Sequence, residues 1–187
     1  MNRSRPSPPS PPRPPPHKLQ EEAAVITQDL QAALMAARPA LDAADAALKT
    51  LDRAALTKLR ATSAPAAEIG QVMSAVLCLT SRRGTRAQSI DTSWAEARVA
   101  LADPDRLLRL LADLDKDRLP AERVEWARRL CAATDSAAEL TSERLLPLSH
   151  GAAALCEWVL AVCAYHDAHV EAEPRRLDLE APNLAES

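Results

Sequence analysis

The chain has 187 residues, enough for one ordinary domain, and a net charge of −3 that by itself points to no partner. Phenylalanine is absent, Tyr165 is the only tyrosine and β-branched residues are sparse, while alanine and leucine dominate; the composition argues against a sheet and favours helix. Glycine occurs only at positions 70, 84 and 151. Neither G-x-x-x-x-G-K nor G-x-G-x-x-G can be assembled from these, which excludes a glycine-loop nucleotide site.

Residues 1–17 are dense in proline, carry Arg3, Arg5 and Arg13, and contain no acidic residue. Such a segment cannot bury a core and is expected to be a disordered, polyproline-like tail. Arg3, Pro6 and Pro9 fit an R-x-x-P-x-x-P ligand pattern, a match that is nearly unavoidable in a run this rich in proline.

Residues 18–52 predict an outgoing helix. Leu34, Ala37, Leu41, Ala44, Leu48 and Leu51 step by three and four in alternation, a seam that suits a coiled-coil partner better than a globular core. Pro39 falls inside this helix and is expected to kink it. Residues 148–182 predict a return helix with the same stepping at Leu148, Ala152, Leu155, Val159 and Val162. His166 falls where that seam wants an apolar side chain and is expected to be half-exposed. Pro174 is expected to break the return helix near its end, and 183–187 form a tail.

Residues 53–147, between the two, predict a compact tip of short helices. Leu56 and Leu59 mark one amphipathic piece, with Arg53, Lys58 and Arg60 off its apolar side. Pro65 opens a helix carrying Ile69, Val72, Met73, Val76 and Leu77, the most apolar piece and the expected centre of the tip. Ser81 to Arg86 reads as a basic loop. Ser93-x-x-Glu96 is a capping box, and Asp103-Pro104 starts the next helix. Asp115 and Asp117 are expected to serve a charged turn rather than a catalytic pair. Pro120 opens a helix with Val124, Ala127 and Leu130; Ser136 to Leu140 reads as a turn or short helical segment. The fold class is therefore all-α, a small helical bundle at the end of a short antiparallel coiled coil.

Cys78, Cys131, Cys156 and Cys163 form no C-x-x-C pair and are expected to be reduced core thiols of a cytosolic protein. No apolar run reaches membrane-spanning length, and the proline-rich start is no secretory signal. We expect no cofactor, no metal, and no nucleic-acid or membrane partner. No nucleophile–base pair, metal cluster or phosphate loop supports an enzyme.

The order of these features resembles the stalk tip of a dynein heavy chain. Arg38 to Leu51 resembles the end of its outgoing coiled-coil helix, and Leu56 to Pro65 its first tip helix and exit. Val72 to Cys78 resembles the helix that follows; Trp94 and Leu101 to Pro104 resemble the next. Leu114-Asp-Lys-Asp-Arg-Leu-Pro120 is similar to a turn of the form Y-D-K-D-N-I-P, typical of axonemal members. Ser149-His-Gly-Ala-Ala-Ala-Leu-Cys-Glu-Trp-Val159 is similar to S-K-A-A-x-x-L-C-x-W-V, and Glu173-Pro174 resembles the proline of the return helix.

This resemblance implies a tip that docks on tubulin, in which sliding of one stalk helix against the other, driven by a distant ATPase ring, switches affinity for the track. It implies an axonemal setting in a cilium or flagellum. It also makes a leucine-rich-repeat light chain a candidate partner, as in some axonemal dyneins. Nothing in the sequence encodes the ring, so the chain is expected to be a fragment or truncated product that works with the remainder of a heavy chain. Because tubulin's surface is acidic, the expected contacts are Arg53, Lys58 and Arg60 on the first tip helix, then Arg118, Arg123, Arg128, Arg129 and Arg144. Where axonemal relatives often carry lysines, this chain has Pro147, His150 and Glu157, which implies weaker binding. The competing reading is a non-motor helical scaffold that dimerises through its stem and presents its proline tail as a ligand. An intramolecular hairpin favours the first reading and intermolecular pairing the second.

Overall fold

The computed structural model describes residues 16–81, 86–132 and 140–180, with the side chains at 16–23, 26, 29, 30, 33, 34 and 171–180 outside the description. The proline tail before residue 16, the basic loop at 82–85, the segment before Leu140, the final tail and the side chains of Leu34 and Pro174 therefore lie outside the described residues. What is described is helical: α1 (Pro16–Thr50), α2 (Arg53–Ala61), α3 (Ala67–Thr80), α4 (Trp94–Ala100), α5 (Pro104–Ala112), α6 (Ala121–Cys131), α7 (Ser142–Leu145) and α8 (His150–Glu180). Single 3-10 turns sit at Ala87–Ser89 and Lys116–Arg118.

Local chemistry accounts for four of the eight starts. Asp52 caps α2, its carboxylate accepting the Ala55 N–H at 2.6 Å. Ser93 caps α4 through the Glu96 N–H at 3.3 Å, and Asp103 caps α5 through the Arg106 N–H at 3.0 Å with Pro104 in the first turn. Each cap satisfies one donor that the helix cannot pair internally. Ser149 does the same for α8, its hydroxyl accepting from the Ala152 N–H at 3.3 Å.

α1 and α8 make the most extensive helix–helix contact in the chain. They run antiparallel, because Gly151 near the start of α8 faces Ala55, just beyond the end of α1. The stem is thus an intramolecular hairpin. The side chains buried on α1 are Ala37, Ala44, Ala47 and Leu51, while Leu41 and Leu48 are half-buried on the flank. The seam therefore lies nearer Ala47 than the leucine stepping predicts. Small side chains at the contact let two helix backbones approach closely, and the leucines then lap over the edges.

α8 differs more from its expected narrow seam. Every residue from Gly151 to Cys156 is buried, and beyond them only Glu157, Leu160, Ala164 and Asp167 are exposed before Val170. Its first half is a core helix with one wet stripe. Trp158, fully buried, is among the largest side chains in the core. The alanines at 152–154 and 161 carry too little hydropathy to stand out in the sequence, yet they are buried on a helix that α1, α2, α3, α6 and α7 all contact. α3 buries Ile69, Val72, Met73, Ala75, Val76, Cys78 and Leu79, against both α6 and α8. The tip core thus rests on two central helices, where the sequence points to α3 alone.

Neither proline ends its helix. Pro39 lies inside α1 on an exposed position, where the carbonyl that loses its partner can turn to water. α8 continues past Pro174 to Glu180. His166 is buried, not half-exposed, because it faces Leu119 at the base of the tip.

Candidate docking face

α2 lies between α5 and the first turn of α8. Leu56 and Leu59 bury its inner side. Arg53 at its start pairs with Asp105 of α5, its Nε donating to Oδ1 at 3.0 Å. At its far end the Thr62 carbonyl accepts the Trp94 indole N–H at 3.2 Å. With both ends held, Lys58 and Arg60 stand exposed, and no other described side chain pairs with either. Lys58 is one turn beyond Ala55 and shares its side of the helix, next to the start of α8. Arg60 shares a side with Arg53, toward α5.

The other expected cations are engaged. Arg144 of α7 lies 4.0 Å from Glu68 of α3, Arg129 bonds Glu125 one turn back on α6 at 3.1 Å, and Arg118 is 3.9 Å from Asp115. Arg128 donates to the Cys163 carbonyl at 3.0 Å and pairs with Asp167. That bond with Asp167 holds its guanidinium above its ordinary pKa. Arg123 is a correction: it is 2 % exposed, and its Nη1 donates to the Ser81 carbonyl at 2.6 Å. It satisfies an orphan carbonyl at the end of α3, so its charge does not reach the surface.

The candidate cations therefore fall into two groups. Arg53, Lys58, Arg60 and Arg144 belong to elements packed at the start of α8. Arg128 reaches α8 at Cys163, thirteen residues from its start, about 20 Å down a helix. There it joins a polar belt between tip and stem. Tyr165 donates to Asp117, His169 lies 4.0 Å from the same carboxylate and 5.9 Å from the Tyr165 ring, and His166 bonds the Leu119 backbone. Burial and the Asp117 bond push the Tyr165 hydroxyl up to about 12. Asp117 is thus a structural acceptor, a role that its place in a charged turn does not reveal.

All three departures from the expected lysines are exposed: Pro147, His150 and Glu157. Leu146 and Leu148 beside Pro147 are about half-exposed, so the approach to α8 presents leucine to solvent. Leu148 is a correction: expected in the seam of the return helix, it lies exposed ahead of α8, while the close approach of α2 to Gly151 depends on two elements and is not legible in the sequence. Burial raises all four thiols, Cys78, Cys156 and Cys163 to about 11 and Cys131 to about 12, so they are inert core groups. Among the described residues, no group of three or more His, Cys, Asp or Glu is placed to hold a metal ion, and no helix is long and apolar enough to cross a membrane.

A helical tip carried on an antiparallel two-helix stem, with unpaired cations beside the turn between them, defines a stalk-tip domain. Residues 19–186 match the family model of the microtubule-binding stalk of dynein motors, and the chain belongs to that family. It is 30% identical to dynein axonemal heavy chain 11 of Sus scrofa over 166 residues, which span 89% of this chain and 4% of the pig protein. It is likewise 30% identical over 88% of its length to the dynein beta chain of the flagellar outer arm of Chlamydomonas reinhardtii, covering 4% of that protein. A solved structure described as the microtubule-binding domain of dynein-C superposes with a TM-score of 0.59 at 29% identity, covering 78% of this chain and 94% of that one. The chain spans only a few per cent of the length of the curated relatives, and residues 19–186 are the part that matches the stalk model.

Proposed function

We propose that this chain docks on the microtubule lattice through α2 and the α7–α8 junction, and that the relative register of α1 and α8 sets how tightly it holds. The observation that carries this reading is the pair Lys58 and Arg60, exposed and unpaired on a helix held at both ends, while Arg123 and Arg128 are committed to backbone carbonyls and Arg118, Arg129 and Arg144 sit in solvent-exposed ion pairs with neighbouring carboxylates. An acidic track attracts such cations at long range and pairs with them on contact. In this reading the stem joins the tip to the remainder of a heavy chain, whose ATPase ring drives a minus-end motor in the axoneme of a cilium or flagellum. A leucine-rich-repeat light chain is a second partner within the same proposal. The scaffold reading needs stem pairing between chains, and the intramolecular hairpin speaks against it.

The test is co-sedimentation of residues 18–187 with microtubules, at low and moderate salt, with the stem locked in two registers four residues apart. Binding that depends on register and weakens with salt is the expected result. Folded helical protein left in the supernatant in both registers refutes the docking reading.

A further inference from the structure

Ser63 lies two residues beyond the end of α2, in the turn that leads to Pro65. It is exposed, and no described residue bonds its hydroxyl. The backbone has already left the helix: Thr62 is extended, with φ −71° and ψ 115°. Arg60 precedes Ser63 by three residues and Lys58 precedes it by five. A kinase with an acidic cleft selects a hydroxyl by such charges, because its carboxylates sit at a fixed reach from the site of phosphoryl transfer. The cleft takes its substrate as extended chain. Arg60 and Ala61 are the helical residues that must leave α2 for this, with release of the Trp94 bond to the Thr62 carbonyl, and the last turn of a helix frays readily. Arg86 stands in the same relation to Ser89, also exposed, but Ser89 belongs to the 3-10 turn packed on α6 and not to α2.

We propose that Ser63 is a phosphorylation site for a basophilic protein kinase, and that its phosphate lowers the affinity of the docking face by offsetting Lys58 and Arg60. The second half rests on the microtubule reading above; the first does not. In the transfer, the Ser63 Oγ bonds to the γ-phosphorus of a nucleoside triphosphate, the bond from that phosphorus to the departing diphosphate breaks, and the hydroxyl proton passes to a carboxylate of the kinase. The phosphate carries between about −1.5 and −2 charges at neutral pH, against one positive charge on each of Lys58 and Arg60. The chain from Arg60 to Ser63 spans at most about 11 Å between Cα atoms, so the guanidinium can reach the phosphate and pair with it. An acidic track then meets little net positive charge on α2. Leu56 and Leu59 stay buried and Arg53 stays on Asp105, so the helix keeps its seat while its charge is lost.

The test treats the full chain and its Ser63→Ala, Arg60→Ala and Ser89→Ala variants with ATP and the catalytic subunit of cyclic-AMP-dependent protein kinase. Mass spectrometry locates the phosphate, microtubule co-sedimentation at low and moderate salt reads affinity, and thermal melts read the fold. We expect phosphate on Ser63 in the parent and none there in Arg60→Ala. We expect the treatment to lower affinity about tenfold at low salt in the parent and in Ser89→Ala, and to leave Ser63→Ala as it was. The loss narrows at moderate salt, and a phosphatase reverses it. Ser63→Asp, with a single charge, is expected to lose about threefold, and it reads the charge effect without the kinase should the phosphate melt the tip. No phosphate on Ser63 overturns the site. A phosphorylated Ser63 and a folded Ser63→Asp that both bind like the parent overturn the regulatory half, as does an equal loss in treated Ser63→Ala. An untreated parent that does not bind refutes the docking reading and the regulatory half with it, and mass spectrometry still decides whether Ser63 is an acceptor.

Discussion

Lys58 and Arg60 are the residues whose side chains carry most of the functional reading, and they are legible as cations but not as free ones. Lys58→Ala with Arg60→Ala removes two charges that no described partner holds, so the fold has no reason to change. We expect microtubule affinity to drop by about tenfold at low salt, with the melting temperature unchanged. Parental affinity in a co-sedimentation titration would falsify the assignment of α2 as the docking helix. His166 carries a prediction of another kind. Burial lowers its pKa below the ordinary 6.5, with Asp167 and the Leu119 backbone opposing and Arg128 and His169 assisting. The folded chain therefore binds this proton less readily than the unfolded chain, and stability rises with pH where the unfolded histidine titrates. Thermal melts are expected to show stability constant above about pH 7 and falling as pH drops below about 6.5, with His166→Leu flattening that slope. A slope that survives the substitution places its origin elsewhere.

At the scale of elements, the contact between α6 and α8 is where tip and stem are joined by directional bonds. Arg128 gives α8 one hydrogen bond at the Cys163 carbonyl and an ion pair at Asp167, both partly open to water. Exposed ion pairs contribute little, while a bond from a charged donor to a backbone carbonyl contributes more. Arg128→Met is therefore expected to cost about 1 kcal/mol in urea unfolding and Asp167→Ala less, because the latter leaves the carbonyl bond in place. Equal losses in the two variants would show that the ion pair and not the carbonyl bond carries the joint. On the opposite side of the stem, α1 faces α8 with alanines and flanking leucines. α8 is thus joined to the tip by polar anchors, while α1 is joined to α8 by fit.

For the whole molecule the question is how strongly such a tip holds its track. Its approach to α8 presents Leu146, Pro147, Leu148 and His150, with Glu157 further along the exposed stripe. A glutamate facing an acidic lattice repels it, and leucines supply no long-range attraction. The combined change Pro147→Lys, His150→Lys and Glu157→Lys is expected to tighten binding by about tenfold at low salt, with the gain fading at moderate salt. No gain at low salt would mean that these positions do not face the track.

Much of this architecture is written locally. Ser93, Asp103 and the proline at 104 mark helix starts wherever the chain is placed, because a cap needs only its own first turn. The absence of phenylalanine, the abundance of alanine and leucine, and the three scattered glycines settle helix over sheet and exclude a glycine-loop nucleotide site. What tertiary structure alone decided are the features that depend on a second element. Arg123 and Lys58 are equally charged in the sequence, yet one closes the end of α3 in the interior and the other stands in solvent. The alanines of α8 look like spacers and are core, because other helices pack around α8 from several sides. Gly151 looks like a weak point in a helix until α2 is found 3.2 Å from the Cβ it lacks. Periodicity reports which side chains share a face, and only packing reports what that face meets.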